Sequence, residues 1–128
     1  MVDAIAPDGS EIRFLVPPPE SQLAHLPPVD REARAASLVE VRLPEGARSR
    51  PVRHRSVEEI WYVLSGRGRL WRSPPGGPRR CDPLGPGVVA VIPTGWTFSF
   101  ASEGGGALRF LCYTSPPWPG AHEAVVAP

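Results

Sequence analysis

Few side chains in these 128 residues can move a proton or hold a metal: histidines at 25, 54 and 122, cysteines at 81 and 112, and 13 acidic residues. His54 and Glu59 stand out by their setting. Val52-Arg53-His54-Arg55 is a short β-type run, and Glu59-Ile60-Trp61-Tyr62-Val63-Leu64 is rich in β-branched and aromatic residues. Successive strand side chains point to opposite faces, so Val52 and His54 share one face, as do Glu59, Trp61 and Val63, and as do Phe98 and Phe100. Turned inward, these faces would line a cavity with aromatic and aliphatic groups and one ionisable pair. An imidazole beside a carboxylate is equipment for general acid/base work, and such a lining suits a small hydrophobic molecule. The plainer reading is a hydrogen-bonded buried histidine, a strand-end carboxylate and aromatics that fill a core. Arg42, on a strand of open parity, is assigned the holding of a carboxylate or enolate. Arg53 and Arg55 alternate with His54 and should face outward. With Arg48, Arg50, Arg67, Arg69 and Arg72 they read as a solvated face or a dimer rim.

Short β-type runs separated by proline or glycine must position these groups, the rhythm of an all-β sandwich or barrel. Glu11–Val16 is a first strand, ended by prolines 17 to 19, and Ser37–Leu43 alternates polar and apolar residues, so one face should be buried. Ser65-Gly66-Arg67-Gly68 predicts a hairpin turn into Arg69–Arg72. Val88–Ile92 reads as a strand buried on both faces. Thr97–Ala101 and Leu108–Tyr113 complete the series around a flexible turn at Gly104–Gly106, and the tail from Pro116 reads as irregular. Asp30–Ala36 is the one plausible helical turn. The expected organisation is a single domain: an N-terminal strand and arm over 1–36, a barrel over 37–115 and a tail over 116–128.

Two stretches resemble the cupin family. Its first motif, G-x5-H-x-H-x(3,4)-E-x6-G, aligns with Gly46, Val52, His54, Glu59 and Gly66, and its second, G-x5-P-x-G-x2-H-x3-N, aligns with Gly87, Pro93, Gly95, Phe98 and Ser102. The resemblance implies a jelly-roll barrel of antiparallel strands, often dimerised through an outer sheet. It also implies that His54 and Glu59 converge inside the barrel, where Glu59 would orient the imidazole as an acid/base dyad. The family's metal set is three histidines and one glutamate. Val52 and Phe98 replace two of them, which leaves His54 and Glu59 as the only possible ligands in motif positions, fewer than the three a catalytic site ordinarily has. Recruitment of His25, Cys112 or His122 has no supporting spacing. No cofactor is therefore expected, a divalent metal being the minor alternative.

Fourteen basic residues, all arginine, nearly balance the 13 acidic ones for a formal net charge of +1. Such a balance gives no excess field for nucleic acid or an anionic membrane. The longest aliphatic run, Val88 to Ile92, is too short to span a bilayer, and the first residues carry no signal-peptide pattern. A cytoplasmic address with free thiols is expected. With 18 prolines and 13 glycines offset by 41% hydrophobic residues, the chain still supports a folded core. The functional expectation is a metal-independent enzyme using His54 and Glu59 on a hydrophobic carbonyl-bearing molecule, by isomerisation, dehydration or cyclisation. The arginine bias suggests a GC-rich bacterium, and with it secondary metabolism. The alternatives are a non-catalytic small-molecule-binding cupin and a metal-dependent oxygenase or isomerase with an incomplete ligand set.

Overall fold

A computed structural model describes residues 2–16 and 35–127. His25 and residues 30–34 of the expected helical turn lie outside them; Ala35 and Ala36, which are described, are not helical. The strands are β1 (Ala4–Ile5), β2 (Glu11–Val16), β3 (Ser37–Leu43), β4 (Val52–His54), β5 (Glu58–Ser73), β6 (Arg80–Leu84), β7 (Val89–Ile92), β8 (Thr97–Ser115) and β9 (Ala124–Val126). Every pairing between them is antiparallel. The pairings sort into two leaves of a curled sheet, the expected jelly roll. One leaf runs β1, β2, β3, the second half of β8, the first half of β5 and β7; the other runs β9, β4, the first half of β8, the second half of β5 and β6.

The long strands β5 and β8 belong to both leaves, which corrects two expectations. Ser65-Gly66-Arg67-Gly68 does not reverse the chain, and Gly104–Gly106 does not separate two strands. Both segments lie within continuous strands whose mutual register shifts between Val63 and Gly68. The strand bends instead of turning, because cross-strand bonding to one partner resumes on each side of an irregularity. Gly66 permits this bend: its φ is +82°, and a Cβ there would lie 2.4 Å from the carbonyl oxygen of Ala107.

Three further differences have simple causes. Val89 and Val91 are exposed while Ala90 and Ile92 are buried, so β7 has one buried face; its outer face lies open. Strands β1 and β6 carry too few periodic residues to be read from sequence. The tail is not wholly irregular, since β9 pairs with β4. Buried side chains from both leaves form one core, including Val41, Leu43, Leu70, Leu84, Ile92 and Leu108.

Candidate active site

Strand β4 hydrogen-bonds to β8 at Val52–Phe98 and to β9 at His54–Ala124, which holds the His54 backbone between two neighbours. The motif glycine Gly95, at φ +85°, donates its N–H to the His54 carbonyl at 3.1 Å, so the two motifs meet at this residue. Strand parity then buries Val52 and His54 and exposes Arg53. Residues five apart cannot share a face of one strand; the crossover Arg55-Ser56-Val57 carries the chain from one leaf to the other and sets Glu59 opposite His54. Glu123 anchors that crossover, accepting hydrogen bonds from the Ser56 amide at 2.7 Å, the Ser56 hydroxyl at 2.5 Å and the Val57 amide at 2.9 Å.

His54 and Glu59 are 3% and 7% exposed, and His54 Nε2 lies 2.7 Å from Glu59 Oε2. The other carboxylate oxygen accepts a hydrogen bond from the indole N–H of Trp61 at 2.8 Å. Glu59 is thus clamped from one side and presented to the imidazole on the other. The approach to Nε2 is out of line for a good N–H···O bond, and both ring nitrogens are buried without a partner of hydrogen-bonding geometry. The ring itself is held by Phe98, with centroids 5.2 Å apart, and by the edge-on contact of Trp118 at 5.3 Å.

The pair lines a cavity of about 210 Å³ between the leaves, together with Val52, Trp61, Phe98 and Phe100. Two other proposed site residues do not belong to it. Val63 is buried in the barrel but does not line the cavity. Arg42 is exposed between buried Val41 and Leu43 and donates to Glu11 at 2.7 Å, so its parity sends it outward, away from any carboxylate or enolate in the barrel.

Sequence reasoning missed Asp8, Trp118 and Glu123. Asp8, on the β1–β2 turn, is 9% exposed and lines the cavity. Burial pushes its pKa up; the Ser10 hydrogen bonds pull the other way, the Glu59 charge adds to the rise and His54 opposes it. For Glu123 burial also acts upward, but the Ser56 and Val57 bonds prevail and hold the carboxyl below its ordinary range. No periodic pattern marks these three positions. Only the turn-forming Asp8-Gly9 hinted at structure there.

The donor set does not fit the divalent ion that the resemblance implies. Val52 and Phe98 offer no ligand atoms, and the heads of His54 and Glu59 face each other. Among the described residues no group of three or more His, Cys, Asp or Glu side chains is placed to hold a metal. His122 is exposed. Cys112 lines the cavity, but burial, reinforced by the Glu59 charge, pushes its thiol well above the usual range, away from the thiolate a metal needs. Cys81 and Cys112 are both free thiols.

A family model described as "Cupin domain" matches residues 39–114. Among solved structures, the chain is similar to KdgF from Halomonas sp., with a TM-score of 0.66 and 18% identity over 93% of this chain and 88% of that one. It is also similar to an oxalate decarboxylase from B. subtilis, with a TM-score of 0.73 and 17% identity over 98% of this chain and 30% of that one. The coconut allergen cocosin matches with a TM-score of 0.69 and 19% identity, over 98% of this chain and 30% of that one. The chain therefore spans under a third of the oxalate decarboxylase and cocosin chains. No curated protein matches it. Among the described residues no helix is long and apolar enough to cross a membrane.

Proposed function

The chain belongs to the cupin family, and from that premise we propose that its barrel is a metal-independent acid/base site acting on a small hydrophobic carbonyl compound. The observation that carries this reading is the buried 2.7 Å contact of His54 Nε2 with Glu59 Oε2 on the wall of an aromatic cavity. Glu59, fixed by Trp61, orients the ring, and a small rotation of the imidazole brings Nε2–H into line with the carboxylate. The same rotation uncovers Nδ1, which is buried at rest, and its lone pair accepts a proton from the carbon beside a carbonyl and later returns it to the same or another carbon. Isomerisation, dehydration and ring closure all use such a transfer. Val52, Trp61, Phe98 and Phe100 exclude water and hold the apolar body of the substrate. A dianion such as oxalate is disfavoured here, because the Glu59 carboxylate faces it in place of cations. The natural setting proposed is a bacterial cytoplasm, with the protein a homodimer through an outer sheet.

Exchange of the α-hydrogens of 1-indanone in D2O, followed by proton NMR, tests the reading. The wild type should accelerate exchange, and His54→Ala, with its fold verified by circular dichroism, should lose roughly a hundredfold or more of that acceleration. Equal exchange by both proteins, or none above buffer by the wild type, rejects proton transfer; retained indanone affinity in His54→Phe would then leave a binding cupin.

A further inference from the structure

Asp8-Gly9 is a turn dipeptide of the kind ordinarily found at a solvated hairpin tip. Here the turn closes through Ala6 N–H to the Ser10 carbonyl and Gly9 N–H to the Ala6 carbonyl, both at 2.9 Å, with Gly9 at φ +96°. The Asp8 carbonyl accepts the Arg50 amide at 2.8 Å, which ties the turn to the segment entering β4. The side chain is consequently folded inward, where it lines the same cavity as His54 and Glu59. Oδ1 accepts both the Ser10 amide at 2.9 Å and the Ser10 hydroxyl at 2.7 Å. Among the described residues no donor reaches Oδ2. In a residue only 9% exposed, Oδ2 is thus the carboxyl oxygen left open to meet a ligand.

We infer that Asp8 is the oxygen-side acid of this site, donating from Oδ2 to the carbonyl oxygen of an aromatic ketone whose α-carbon faces His54. The inference rests on the proton-transfer reading of the His54–Glu59 pair. An amide N–H can only donate, so the Ser10 amide keeps Oδ1 an acceptor, and the proton of a neutral Asp8 must reside on Oδ2. Burial favours that neutral form. The step balances without a co-reactant. His54 Nδ1 takes the α-proton as the C–H bond breaks, the electron pair forms C=C, the carbonyl oxygen takes the Asp8 proton, and an enol remains beside imidazolium and carboxylate. Return of a proton to carbon and of the enol proton to Oδ2 restores the site. A buried carboxylic acid held neutral so that it can donate to a developing oxyanion is a known catalytic device.

The infrared carbonyl band of 1-indanone bound to the full-length protein tests this. In the wild type the band should move to lower wavenumber than for the free ketone in hydrocarbon. Asp8→Leu should abolish that displacement and weaken affinity roughly tenfold. In Asp8→Asn the Ser10 amide forces the new carbonyl into the Oδ1 place, so the NH2 takes the Oδ2 place; the band displacement should persist while α-exchange falls, because an amide donates but does not give up its proton. A band that is undisplaced in the wild type or unchanged in Asp8→Leu, or no indanone binding by the wild type, overturns the assignment. Should Asp8→Leu fail to fold, Asp8→Asn exchanging at the wild-type rate overturns it equally. His54→Ala separates the two proposals: it should lose exchange and keep the displaced band, whereas exchange that survives His54→Ala with a band that still follows Asp8 defeats the base alone.

Discussion

Leu43, Leu70, Leu84 and Leu108, none more than 4% exposed, fill the part of the barrel away from the cavity, while Asp8, His54, Glu59 and Cys112 stand among aromatic rings at the other. The first region is held by dispersion and by the removal of apolar surface from water, and none of those four side chains carries a polar atom. In the second, polar atoms are bonded by neighbours in part only: Glu59 has Trp61 and Asp8 Oδ1 has Ser10, but the ring nitrogens of His54 have no bond of good geometry. A buried unmade hydrogen bond costs about 1–3 kcal/mol. One region stabilises the fold, and the other draws on that stability to keep polar groups buried.

The sharpest way to break the contrast is Leu70→Ala. Leu70 is fully buried and truncation should lower the unfolding free energy by about 2–5 kcal/mol, read from urea denaturation. Indanone affinity of the folded fraction should stay within about twofold, as it would for changes at separate sites. Loss of binding without loss of stability would show that the two regions are one.

How far the sequence reached follows the same division. Val52, His54, Glu59, Trp61, Phe98 and Phe100 face inward as their alternation predicts, because parity in a paired strand is a local property. The glycine and proline skeleton of the two motifs was legible too, since Gly46, Gly66, Gly87 and Gly95 all adopt positive φ. Parity fails where a strand is anchored at an unseen register: Arg42 was free to face either way until the Val41–Phe110 and Leu43–Leu108 pairs fixed it. Gly66 and Gly104–Gly106 misled because the same residues serve a turn and a bent strand. Asp8, Trp118 and Glu123 were invisible because segments distant in sequence carry them to the site, and no periodicity records that return.

Glu123 sharpens the comparison from the site side. It joins the tail to the crossover that aims Glu59, so Glu123→Gln replaces one of the two acceptor oxygens by an NH2 that cannot accept, and the Ser56 and Val57 donors lose part of their set. A loss of about 1–3 kcal/mol at neutral pH should follow, with a smaller fall in indanone affinity. The carboxyl's pKa is held below its ordinary 4.5 in the folded protein, so its contribution is complete above that value and fades as pH falls through the folded pKa. Urea midpoints of wild type and variant should therefore converge in acid, once the pH lies below the folded pKa. A gap that stays constant would mean that the charge on Glu123 is immaterial.

Arg42→Ala should have the smallest effect, and it tests the outer surface against the inner one. Its guanidinium is exposed and pairs with Glu11 at the rim of the sheet, a contact worth about 0–1 kcal/mol once side-chain entropy and salt screening are counted. Ketone affinity and α-exchange should match the wild type, because no atom of Arg42 reaches the cavity lining. The residual stability difference should shrink further in 1 M salt, where exposed charges interact over only about 3 Å. A variant that binds ketone more weakly at unchanged stability would require the arginine to swing across the edge of β3, which buried Val41 and Leu43 on either side of it oppose.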